Sequence, residues 1–167
     1  MMRHRSWLWT LIALAPAIAN ADDAAAGAFV ASVLAAGRCE FGDCLKHGWS
    51  SGEHRARCDF GSCTKHGWTT RHPGGKQSRT RCDFGDCMKH GWITRHPGGG
   101  ESRTRCDFGE CWKHGWTTRL PNGDEARSRC EFGDCATKGW TTRVPSGDTI
   151  ACRCNFGDCE QRGAECG

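Results

Sequence analysis

The sequence predicts an all-β protein: tandem antiparallel β-hairpin repeats forming an elongated meander, disulfide-stapled, with a short N-terminal helix. Three observations carry that expectation. First, one phrase recurs along the chain, as in Arg81-Cys82-Asp83-Phe84-Gly85-Asp86-Cys87 followed by Lys89-His90-Gly91-Trp92. Its first Cys falls at 39, 58, 82, 106, 130 and 154, a step of 19 and then four of 24. A fixed period in this range marks a repeat architecture, in which units lean on their neighbours. Second, the stretches between phrases alternate β-branched or aromatic residues with polar ones around a Pro-Gly turn. Third, 14 of 167 residues are Cys, a density that reads as a disulfide scaffold.

Residues 1–21 have the layout of a secretory signal peptide. Arg3 and Arg5 precede an apolar run from Trp7 to Ala19, and Ala19-Asn20-Ala21 supplies the small residues of a cleavage site. The run is too short for a comfortable membrane span, so no transmembrane segment is expected once the signal is removed. A secreted or periplasmic protein is the expectation, which also suits the cysteines. Residues 22–37 are Ala-rich, with Phe29 and Val33, and Val30 and Leu34, each four apart on a common face. Asp22 and Asp23 suit a helix start and Gly37 its stop, so this segment is expected to be a helical leader or cap over the first edge of the array.

Residues 38–167 hold six Cys-rich repeats. In the type unit, Gly67 to His72 and Ser78 to Phe84 alternate as strands, and Pro73-Gly74-Gly75-Lys76-Gln77 between them is turn chemistry. Alternation places Trp68, Thr70, Thr80, Cys82 and Phe84 on one face, the expected core. The opposite face carries Arg71, Arg95, Arg119 and Arg143 in one row, and Arg57, Arg81, Arg105, Arg129 and Arg153 in another. Glu40, Asp59, Asp83, Asp107 and Glu131 stand two residues after the second row's place and are expected to compensate part of that charge. The first unit is five residues shorter and has lost the middle. Loss at that place suits a hairpin tip and would break the register of a solenoid coil.

Twelve cysteines form six Cys-x4-Cys pairs: Cys39 with Cys44, Cys58 with Cys63, Cys82 with Cys87, Cys106 with Cys111, Cys130 with Cys135 and Cys154 with Cys159. A tight turn can bring such positions opposite one another at disulfide spacing, although partners in adjacent repeats remain the rival connectivity. Cys152 and Cys166 are left over. The sixth unit has Ala164 where the others have Trp, and a Cys152 to Cys166 bridge is expected to lock that edge.

The same residues admit a metal reading, in which Cys82, Cys87 and His90 offer three zinc or copper ligands per unit. Internal comparison argues against it. The His at 47, 66, 90 and 114 becomes Lys138 and then Arg162, cations that cannot replace a ligand, while every Cys pair is kept. No Ser, His and Asp set, phosphate loop or Cys-x-x-Cys occurs, so neither an enzyme nor a cofactor is expected. The expected role is a non-catalytic binding or structural module. Arg71, Arg95, Arg119 and Arg143 are its candidate ligand contacts, together with Trp112, the one aromatic at its place. An acidic envelope glycan, a lipid or a partner protein would suit the arginine rows. The formal net charge is +4, falling to about +2 without Arg3 and Arg5, too weak by itself to argue for a polyanion partner, and a nucleic acid is not expected.

Overall fold

The computed structural model describes residues 37–167, so the expected signal peptide and nearly all of the Ala-rich leader lie outside the described residues. Twelve antiparallel strands follow one another in a single sheet, each hydrogen-bonded to the next in chain order. They are β1 (Arg38–Cys39), β2 (Gly48–Ser51), β3 (His54–Cys58), β4 (Trp68–Arg71), β5 (Gln77–Cys82) and β6 (Trp92–Arg95), then β7 (Glu101–Cys106), β8 (Trp116–Arg119), β9 (Glu125–Cys130), β10 (Trp140–Arg143), β11 (Thr149–Cys154) and β12 (Ala164–Cys166). The short first unit is a hairpin, with Gly52 and Glu53 turning β2 into β3.

The meander is not elongated. It curls until its ends meet, and the Gly37 N–H donates to the Ala164 carbonyl at 2.7 Å. Gly37 stands two residues before Cys39 as Thr80 stands two before Cys82, and Ala164 holds the Trp place. The contact therefore repeats the Trp68 and Thr80 pairing of β4 with β5. The sulfurs show the same closure. Cys58, Cys82, Cys106, Cys130 and Cys154 each place Sγ 3.0–3.4 Å from a carbonyl oxygen in the preceding unit, that of Leu45, Thr64, Met88, Trp112 and Ala136 in turn. Cys39 does so across the seam, 3.6 Å from the Glu160 oxygen. A cystine sulfur carries no proton, so these are close S···O contacts rather than hydrogen bonds.

Each unit also contains one helical turn that alternation does not reveal: α1 (Cys44–His47), α2 (Cys63–His66), α3 (Cys87–His90), α4 (Cys111–His114), α5 (Cys135–Lys138) and α6 (Cys159–Arg162). The acid after each Phe-Gly accounts for four of them. Asp43 and Asp86 accept from the first backbone N–H groups of α1 and α3, and Asp134 and Asp158 do the same for α5 and α6. A basic residue closes the last turn of every one. Each turn touches the next, and α6 touches α1, so the six form a ring at one end of the nearly closed sheet. The Gly after α3 is required twice over. Gly91 has φ +89°, and a Cβ there would lie 2.0 Å from the Thr104 carbonyl oxygen on β7.

The core is a file of indoles inside the sheet. Trp49, Trp68, Trp92, Trp116 and Trp140 are buried, with consecutive ring centres 5.5–6.2 Å apart and planes tilted by 54–58°. Above them Thr80 and Thr94, Thr104 and Thr118, and Ser128 and Thr142 satisfy one another through hydroxyl contacts of 2.7–2.9 Å. The indole N–H groups of Trp68, Trp92, Trp116 and Trp140 have no hydrogen-bonding N or O partner. Tilted neighbours are the arrangement in which an N–H edge meets a ring face. All seven expected disulfides are present, including Cys152 to Cys166, and no described cysteine is free.

Glu160 is the odd residue of the helical ring, holding the place of Leu45 and Met88, which pack on the core. Burial, then Asp158 and Asp43, push its carboxyl above the usual range. An acid whose folded pKa is raised contributes fully below its unfolded value, near 4.3, and loses that contribution as pH rises through the folded value. Glu160→Met is therefore expected to raise the melting temperature at pH 7, with the gain shrinking towards pH 4. Melting curves across that range check it, and an equal gain at both ends would refute it.

Candidate ligand-binding surface

The outer face of the sheet is built from arginine. Strand alternation that turns Thr80 and Ser78 inward turns Arg79 and Arg81 out, and the pattern repeats in β3, β7 and β9. Register then sets arginines opposite one another: Arg55 faces Arg71, Arg79 faces Arg95, Arg103 faces Arg119 and Arg127 faces Arg143. Like charges directly across a ladder are destabilising, by a few tenths to about 1 kcal/mol per pair. Of these eight, Arg55 has Glu40 at 3.4 Å and Arg95 has Glu101 at 3.1 Å. The other six form no ion pair within 4.0 Å with a described carboxylate.

Of the acids after each first Cys, Glu40 does compensate an arginine, Arg55. Asp59, Asp107 and Glu131 instead accept hydrogen bonds from Thr69, Thr117 and Thr141 on the following strand. Their carboxylates are held by neutral hydroxyls, which leaves most of the arginine charge facing solvent. Equivalent arginines recur every second strand, at two strand spacings or roughly 9.5 Å around the sheet. The result is a belt of cations with a regular step.

Phe84 does not lie on the core face. It and its equivalents Phe41, Phe60, Phe108, Phe132 and Phe156 are 88–95% exposed. Each occupies the middle of a 3-10 turn between the paired cysteines with φ of 50–52°, a left-handed conformation that bulky side chains avoid. The cystine loop ends the strand at the first Cys, so period-two alternation no longer applies one residue later. That short loop between bonded cysteines, with Gly next to Phe, was the signal that alternation overlooked. In four units a His from the helical turn meets the ring edge-on: His47, His66, His90 and His114, at 5.3–5.6 Å.

Phe108 opens onto a groove of about 570 Å³ between neighbouring units, lined also by Asp107, His114, Arg127 and Arg129. The corresponding groove at the seam, of about 760 Å³, is lined by Phe156, Arg162, Arg38 and Arg153. Arg38 and Arg129 both precede the first Cys of a unit, so the two grooves are copies of one feature.

Comparison of the chain with known protein families, characterised proteins and solved structures gives no match. The surface itself must therefore carry the functional reading.

The other sequence candidates are dispersed. Trp112 sits in α4, half-buried, with its ring 6.5 Å from that of Trp140. It belongs to the helical end of the sheet, whereas Arg71, Arg95, Arg119 and Arg143 close their strands at the opposite end, beside the hairpin tips. Cys82 and Cys87 are bonded to each other and His90 meets Phe84, so a cystine rather than a thiolate pair stands at the considered metal set. Among the described residues no group of three or more His, Cys, Asp or Glu is arranged to hold a metal. At the hairpin end His54 and His72 place their Nδ1 atoms 3.0 Å apart, and His72 Nε2 lies 2.8 Å from Ser78 Oγ. Burial, then His54 and His96, hold His72 below its ordinary pKa.

Proposed function

We propose that the chain is a non-catalytic binding module of an extracellular or periplasmic compartment, and that its arginine belt takes an acidic glycan. The observation that carries this reading is the register that sets four arginine pairs face to face with few carboxylates to answer them. A sheet that needed arginine only for solubility could scatter it. A polyanion laid across the pairs would convert their repulsion into charge-assisted, bidentate contacts. Seven disulfides support the oxidising compartment, and the closed sheet supports a rigid scaffold for a repeated ligand.

The test is titration of the folded protein with oligogalacturonate over a series of salt concentrations. Affinity is expected to fall steeply with salt. The variant R79Q/R95Q/R103Q/R119Q is expected to lose at least tenfold in affinity, since hydrogen bonds to charged groups contribute about 1.5–3 kcal/mol each. Its melting temperature should hold or rise, because the cross-strand repulsion is relieved. Binding indifferent to both salt and these substitutions would return the arginines to a solubility role.

A further inference from the structure

We infer that the groove beside Phe108 and its counterpart at the seam are each a subsite for one acidic sugar residue, a plan that the repeat extends to the other exposed Phe: the Phe stacks on the sugar ring while an arginine of the next repeat takes its acid group. This rests on the glycan reading above and adds to it the residue type that no charge argument supplies.

Six phenylalanines that pack on nothing apolar have no part in holding the fold together. They also lie where a side chain raises the backbone energy, at φ of 50–52°. Strain repeated identically in every unit, on an exposed aromatic, points outward to a function. The rings are nonetheless oriented. The cystine fixes the loop on both sides of Phe84, and His90 meets its ring edge-on at 5.4 Å. An oriented, solvent-facing ring is a stacking platform that loses little freedom on binding.

The groove residues name the ligand class. Beside Phe108 stand Arg127 and Arg129 for an acid group, and Asp107 to accept from sugar hydroxyls. The seam groove repeats the ring and the next repeat's arginine with Phe156 and Arg38, while Asn155 stands in the place of Asp107 and Arg153 comes from Phe156's own unit. A bilayer, like any flat partner, fits poorly. Equivalent positions of successive units follow the outer face of the nearly closed sheet at roughly 9.5 Å steps, so a wrapping chain reaches them in turn.

The experiment uses the folded, disulfide-intact chain and its F84A/F108A variant, titrated with oligogalacturonate of six residues over a salt series. The logarithm of affinity against the logarithm of salt concentration has a slope set by the charges and an intercept at 1 M salt that keeps the uncharged part. The variant is expected to lose about tenfold at that intercept, two aromatic contacts' worth, with the slope unchanged. Near-ultraviolet circular dichroism of the indole file should match the parent, showing that the fold is intact. An unchanged intercept in F84A/F108A, with R79Q/R95Q/R103Q/R119Q still weakened, overturns the subsite and leaves the arginine belt standing. Absence of binding by the parent protein at low salt overturns both. Loss in the variant of binding to phosphatidylglycerol vesicles, with oligogalacturonate affinity unchanged, overturns the sugar subsite in favour of a membrane.

Discussion

Reduction of the seven disulfides under otherwise native conditions is expected to abolish the cooperative unfolding transition of this protein. Six of the bridges close loops of only six residues, Cys39–Cys44 through Cys154–Cys159, with Cα atoms 4.4–4.6 Å apart. On the chain-entropy account each contributes about 2 kcal/mol, and the longer Cys152–Cys166 loop about 3 kcal/mol. Their total, on the order of 15 kcal/mol, equals or exceeds the whole stability of an ordinary domain. The effect is not only entropic. Each of the six short-loop cystines anchors a 3-10 turn and the four-residue helix after it, and isolated helices of that length do not persist in water. The measurement is thermal unfolding followed by near-ultraviolet circular dichroism, with and without a phosphine reductant. A cooperative melt that survives full reduction would show that the indole file alone holds the sheet, and would remove the disulfides from the account of stability.

Much of the scaffold was legible in the sequence because it depends on local chemistry repeated four to six times. Pro73-Gly74-Gly75 and its counterparts mark hairpin tips by dihedral preference alone, and the Cys-x4-Cys spacing reaches disulfide geometry without help from the rest of the chain. The Cys152 to Cys166 bridge was legible because internal comparison showed which contact the last unit lacks. Closure was not legible. Whether a twelve-strand meander stays open or returns on itself depends on accumulated twist and coiling, and no single residue encodes that. Only the smallness of Gly37 and Ala164 at the two ends hints at it. The site was half legible. Arg71, Arg95, Arg119 and Arg143 do face solvent, but their pairing with Arg55, Arg79, Arg103 and Arg127 needs the register between hairpins, and Trp112 belongs to the helical ring instead.

The core Trp and the exposed Phe of one repeat are expected to respond to substitution in opposite ways, and this separates the core from the surface most sharply. Trp92 has no exposed surface and lies between Trp68 at 5.7 Å and Trp116 at 6.2 Å. Trp92→Ala leaves a void that neither neighbour can fill, since each is already held by the next indole along the file. A loss of about 4 kcal/mol is expected, read as a lower midpoint in guanidinium with the slope of the transition preserved. Phe84 is 93% exposed at φ 50°. Phe84→Gly removes a left-handed strain of about 1–2 kcal/mol but frees the unfolded chain by about 0.5–1 kcal/mol. The variant is therefore expected to be neutral or slightly more stable than the parent. A loss above about 1.5 kcal/mol on Phe84→Gly would place that ring in the core and remove the ground for its role in binding. A loss under about 1 kcal/mol on Trp92→Ala would show that the file of indoles is not what holds the sheet closed.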